Sequence, residues 1–252
     1  MSWRRPGLRG ALLYGVLATA ASGAVAAVAH LESARRSARR GASHDLPSGP
    51  IIVISNHTSY ADGILLALAC RERGRNLRLL ATAGVFRVPV LGSAIRTLGF
   101  IPVARGSSTA ADSLEAAAEA LAAGEAVGLF PEGRITRDVG KWPERAKTGT
   151  VRLALRTGAP VVPVAMDGAH EVVGDRAHLL RTLRNLVLPP EVRILVGEPI
   201  SVGPLVAALG GADDEAAVRA AADDVMSRLI DLVEELRGEV AEHQAGVPRS
   251  AD

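Results

Sequence analysis

The chain has 252 residues, 48% hydrophobic and 3% aromatic, and its 29 basic and 27 acidic side chains leave a formal charge of +2. That length can bury one large core, and the slight positive balance suits an anionic membrane surface better than nucleic acid. The scarcity of aromatic rings argues against a base-stacking platform, and the single cysteine, Cys70, excludes an internal disulfide and a cysteine-cluster metal site.

The first predicted element is a membrane helix. No charged residue lies between Arg9 and Glu32. As a helix, Gly10 to Leu31 would extend about 33 Å at about 1.5 Å per residue, against a hydrocarbon core of about 30 Å. Arg4, Arg5 and Arg9 flank one end, and Arg35, Arg36, Arg39 and Arg40 the other. The greater charge after the helix favours a plasma-membrane protein whose main domain is cytoplasmic. A helix lying in one leaflet fits two basic flanks equally well. A cleaved signal peptide and a soluble alanine-rich helix are the competing readings.

On this reading residues 1–41 form a membrane anchor, 42–50 a linker ending in turn residues, 51–242 the main domain and 243–252 a disordered polar tail. Within the main domain Ile51–Ile54, Phe100–Val103, Ala126–Phe130, Val161–Met166 and Val192–Val196 read as strands. Ile64–Arg71, Asp112–Ala123 and Lys147–Thr157 read as helices. Their alternation predicts an α/β fold with a mixed, largely parallel sheet flanked by helices. Val218, Ala222, Val225, Leu229, Leu232, Val233 and Leu236 recur at three and four, the pattern of an amphipathic helix packed on the domain. The apolar run Phe86 to Leu98 reads either as a lipid-contacting or tunnel-lining segment or as plain core. His178 to Leu188, which mixes leucines with arginines, reads either as a membrane-surface segment or as a surface helix or loop.

The most informative stretch is Ser55-Asn56-His57-Thr58-Ser59-Tyr60-Ala61-Asp62, directly after the strand Ile51–Ile54. Within one continuous helix, residues five apart point about 140° away from each other. His57 therefore belongs on the turn before a helix, with Asp62 reaching back from its first or second turn. The N–H groups of that helix start favour anions in the same space. An imidazole can accept a proton from an alcohol near neutral pH, and a carboxylate can fix its tautomer and stabilise the imidazolium. The chain has no G-x-S-x-G nucleophile elbow, so the alcohol itself is expected to attack. The six histidines are scattered without metal-ligand spacing, so no metal is expected. His170 and Asp175 repeat the spacing, but His170 follows Gly168 in a predicted loop and is read as a loop or supporting residue.

With these residues in hand the chain resembles the glycerolipid acyltransferases, the family that includes 1-acylglycerol-3-phosphate acyltransferases. Four motifs occur in that family's order: Asn56-His57-Thr58-Ser59-Tyr60-Ala61-Asp62; Gly99-Phe100-Ile101-Pro102-Val103-Ala104-Arg105; Phe130-Pro131-Glu132-Gly133 with Lys147-Thr148-Gly149; and Val161-Val162-Pro163-Val164. The resemblance covers about residues 50 to 200. It implies that His57 is the catalytic base and Asp62 its partner, and that Arg105, Glu132 and Gly133 help bind the acceptor's phosphate or glycerol. Lys147 would add positive charge toward acceptor or donor. One departure stands out: Ile135 occupies the position where the family's third motif usually carries arginine, so either Arg134, the nearer, or Arg137 takes over the phosphate contact, or the acceptor differs.

The resemblance thus implies acyl transfer from acyl-CoA or acyl-ACP, as donor substrate and without a cofactor, to lysophosphatidic acid, giving phosphatidic acid in phospholipid biosynthesis. Expected partners are membrane lipids, the lysophospholipid acceptor and the acyl carrier. Three alternatives remain open: another lyso-lipid acceptor (an aminolipid or glycolipid), a hydrolase in which His57 activates water, and a non-enzymatic membrane lipid-binding protein.

Overall fold

The computed structural model describes residues 6–28, 30–33, 46–89, 91–103, 107–172, 185 and 190–246. Its strands are β1 (His30–Ser33), β2 (Ile51–Ser55), β3 (Leu77–Thr82), β4 (Ile101–Val103), β5 (Ala126–Leu129), β6 (Val161–Asp167) and β7 (Glu191–Val196). They form one sheet in the order β1-β7-β6-β2-β5-β3-β4. The run from β6 to β4 is parallel; β7 is antiparallel to β6, and β1 is parallel to β7. The expected mixed, largely parallel sheet is therefore present. The helices are α1 (Leu8–Val28), α2 (Asp62–Glu72), α3 (Leu91–Thr97), α4 (Ser107–Ala122), α5 (Gly149–Thr157), the single turn α6 (Ala169–Val172), α7 (Val202–Leu209) and α8 (Glu215–Gly246).

Strand β2 shows why the sheet is covered on both sides. Its residues alternate between two cores, as a strand's period of two requires. Ile52 and Ile54 join the core built with α4, α5, α7 and α8, whereas Ile51 and Val53 join the core under α2. All four are fully buried, each worth roughly 1.5–3 kcal/mol of apolar burial. The chain leaves β2 for β3, passing β5, and leaves β5 for β6, passing back over β2. This reversal opens a crevice beyond the carboxyl ends of β2, β5 and β6, where ligands bind in open α/β sheets.

Three parts of the chain bear on the sequence reading. Strand β3 was not expected, because Arg78 interrupts its apolar run. Arg78 is buried there, held by Glu125 at 3.0 Å and by the Leu98 carbonyl at 2.7 Å. The run from Phe86 forms a short 3-10 turn (Val85–Arg87) and α3, with Phe86 and Ile95 buried.

The third part is α1. Among the described residues no helix is long and apolar enough to cross a membrane. Alanine and glycine fill 10 of the 21 positions of α1, so its burial in hydrocarbon gains little, and the chain turns into β1 at His30. The inner side of α1 instead docks on the domain through Tyr14. That residue is buried beside Leu68, its hydroxyl accepts the Leu77 N–H at 3.2 Å, and its ring lies 5.7 Å from the guanidinium carbons of both Arg71 and Arg78. On the outer side Leu8, Leu12 and Val16 form an exposed i, i+4, i+8 stripe.

Candidate active site

His57 lies two residues past the end of β2 and Asp62 opens α2. The turn between them brings His57 Nδ1 to 2.8 Å from Asp62 Oδ2. The Asp62 carboxylate is fully buried and also accepts the Ser59 N–H at 2.8 Å, the Thr58 N–H at 2.5 Å and, more loosely, the Thr58 hydroxyl at 3.4 Å. Two backbone N–H bonds at a helix start fix this carboxylate in place. It can only accept, so Nδ1 is the protonated nitrogen of a neutral His57 and Nε2 carries the lone pair. The imidazole side chain is 20% exposed, so a substrate can reach it although its partner is sealed. Behind the ring lies Phe130, stacked at 4.1 Å between centroids and 14° from parallel.

The backbone of His57 is held by the long segment between β5 and α5. Its N–H donates to Glu132 Oε1 at 3.0 Å, and its carbonyl accepts the Thr136 N–H at 2.8 Å. Asn56, fully buried, clasps the far side: its amide donates to the Met166 carbonyl and accepts the Met166 N–H, both at 2.8 Å. The last turn of β2 is thereby tied to β6 and to the β5–α5 segment at once.

The residues expected to bind substrate fall into different settings. Glu132 is buried, and its second oxygen accepts the Glu144 N–H at 3.0 Å. Burial holds its carboxyl above the ordinary carboxylate range, an effect that the N–H bonds from Glu144 and His57 partly offset. Both its oxygens are thus occupied by protein N–H groups. Gly133 has φ +70°, and an added Cβ would lie 2.8 Å from Lys147 Nζ. The lysine stem therefore lies across this glycine turn, and the Lys147 N–H also donates to the Pro131 carbonyl at 2.9 Å. Arg134 is exposed and paired with Glu144 at 3.0 Å, and the Arg137 N–H donates to the same carboxylate. Arg105 lies outside the described residues, as do Asp175 and, apart from Asn185, the stretch His178 to Leu188. Among the described residues no group of three or more His, Cys, Asp and Glu side chains comes together as a metal site.

The sequence reading passed over Asn56, Phe130 and Thr136 as individual contributors. The first two stood inside quoted motifs. The contact of Thr136 is made by its backbone N–H, which no residue type announces.

An open imidazole on a buried carboxylate, at the carboxyl ends of parallel strands, has the geometry that a general base requires. The family model described as Acyltransferase matches residues 32–167, more than half of the sequence, and the chain belongs to that family. It is 29% identical over 160 residues to the chloroplastic 1-acyl-sn-glycerol-3-phosphate acyltransferase BAT2 of Brassica napus, covering 62% of this chain and 43% of that protein. It is 30% identical over 167 residues to N-acylphosphatidylethanolamine synthase of Arabidopsis thaliana, covering 61% and 57%. The matched region thus spans less than half the length of the first of these relatives. The crystal structure of the 1-acyl-sn-glycerophosphate acyltransferase PlsC from Thermotoga maritima shares the fold, with a TM-score of 0.60 and 17% identity over 88% of this chain and 79% of that one.

Proposed function

We propose that the protein is a membrane-associated O-acyltransferase that moves a fatty acyl group from acyl-CoA or acyl-ACP to the free hydroxyl of lysophosphatidic acid, giving phosphatidic acid. The observation that carries this reading is the 2.8 Å contact of His57 with a carboxylate that is itself sealed from solvent. His57 Nε2 takes the proton of the acceptor hydroxyl as its oxygen attacks the thioester carbonyl carbon. The tetrahedral intermediate collapses with cleavage of the C–S bond, and the imidazolium returns the proton to the departing thiolate. Asp62 holds the tautomer and offsets the positive charge on the ring. General-base assistance of this kind supplies about 10²–10⁴-fold.

Lys147, beside the Gly133 turn, is the described cation that we assign to the acceptor phosphate or the donor; Arg105 is proposed for the same role on the resemblance alone. The outer stripe of α1, together with Tyr60 and Ile64, exposed on and just before the first turn of α2, suits a helix lying on one leaflet, and the greater number of arginines after α1 favours the cytoplasmic side for the domain. A second acceptor, an aminolipid or glycolipid, is favoured by one observation: Ile135 replaces the family's arginine, while Arg134 is engaged by Glu144.

The test presents labelled acyl-CoA and acyl-ACP with a panel of lyso-lipids, with products read by lipid mass spectrometry. Wild type should convert lysophosphatidic acid, and His57→Ala should lose about 10²–10⁴-fold of that rate. Full activity in His57→Ala would remove the mechanism, and turnover confined to another lyso-lipid would establish the second acceptor.

A further inference from the structure

The geometry points to Arg237, on the C-terminal helix α8, as a positioning residue that sets His57 from outside the site. Its guanidinium uses three nitrogens on three partners: Nε donates to Asp167 Oδ1 at 3.0 Å, Nη1 to the Gly140 carbonyl at 3.0 Å and Nη2 to the Lys141 carbonyl at 3.3 Å. The same plane covers the Trp142 ring, with the guanidinium carbon 4.4 Å from its centroid. Only arginine presents a flat fork that can donate in several directions while stacking on an aromatic face.

Each partner leads to His57 by a short path. Asp167 ends β6, next to Met166, whose N–H and carbonyl are clasped by Asn56. Gly140, Lys141 and Trp142 form a tight loop that needs holding. Lys141 carries φ +59°, a left-handed conformation that a side-chain-bearing residue adopts at some cost. The Trp142 carbonyl accepts the Thr136 hydroxyl at 2.8 Å, and the Thr136 N–H is the one that donates to the His57 carbonyl. One side chain on α8 therefore braces two of the contacts around His57: the Asn56 clasp on the preceding residue and the Thr136 bond to the His57 carbonyl, the Glu132 bond to the His57 N–H being separate. Arg237 touches no reacting atom, so its effect falls on the orientation of the imidazole. A displacement of about 1 Å there is enough to lower the rate about 10²-fold.

The kinetic half of this inference rests on His57 being the base of the acyl-transfer reaction; the mechanical half does not. Both are tested with Arg237→Met, which keeps the stem and removes the fork, and Arg237→Lys, which keeps the charge. Arg228→Ala is the control, since among the described residues Arg228 pairs along the same helix with Asp224 at 2.8 Å. Hydrogen exchange of the Thr136 and Met166 amides should accelerate about tenfold or more in Arg237→Met, less in Arg237→Lys, and stay unchanged in Arg228→Ala. The Arg237→Met kcat should fall about 10–100-fold with donor and acceptor KM within about twofold, Arg237→Lys lying between it and wild type. Unchanged exchange in a folded Arg237→Met, or an equal effect in Arg228→Ala, overturns the inference. If wild type transfers no acyl group, the functional reading fails, and amide exchange alone decides the clamp.

Discussion

Glu132, which the family resemblance places at the substrate, has both its carboxylate oxygens engaged by the protein itself. Its two oxygens receive N–H groups from His57 and Glu144, residues on two different loops. Glutamine can supply only one acceptor, so in Glu132→Gln an amide NH₂ faces a backbone N–H. The variant should be less stable by about 1–3 kcal/mol in urea unfolding. The pH dependence has a defined sign. Burial raises the folded-state pKa above the unfolded value of 4.5. The native state then binds this proton more tightly, so the stabilisation is complete below 4.5 and is lost as pH rises through the raised value. The stability gap between wild type and Glu132→Gln should be widest at acid pH and narrow toward neutrality; a gap that widens with pH would contradict this assignment. The contact of His57 with Asp62 was legible because five residues of spacing across a strand end admit few geometries. The occupation of Glu132 was not, since its partners are backbone groups far away in the chain.

At the scale of elements, periodicity located the strands that are buried on both faces, because uninterrupted apolar runs are what such strands require. It failed at β3, where a paired arginine is buried in mid-strand; at α1 it located the helix, while no described helix is long and apolar enough to cross a membrane. Tyr14 makes α1 part of the domain. Its hydroxyl is the acceptor for the Leu77 N–H at the start of β3, and burial pushes its pKa up, as expected of a phenol withdrawn from water. Tyr14→Phe keeps the ring among Leu68, Leu98 and Phe100 but leaves that buried N–H without a partner. A loss of about 1–3 kcal/mol is expected in thermal or urea unfolding. If α1 stood away from the domain, the substitution would leave stability unchanged.

Across the whole molecule, the site depends on a reversal in the winding of the sheet, and Asn56 is the side chain that closes it. Strand β2 pairs with β5 on one side and β6 on the other, and the ladder to β6 ends where Ser55 meets Val164. Beyond that point the backbones diverge to make the crevice, and the Asn56 amide takes over, presenting one donor and one acceptor to Met166. Among side chains of this length only an amide offers both at this spacing. Asn56→Asp has the same shape but turns a carboxylate oxygen toward the Met166 carbonyl, so one bond becomes a repulsion in a fully buried place. The variant should unfold about 1–3 kcal/mol more readily. It should also lose kcat more than either KM, because the clasp orients the neighbouring His57 rather than binding substrate. Measuring both separates the outcomes: lost stability with intact kcat would make Asn56 a plain strut, whereas loss of both ties the depth of the crevice to the aim of the base.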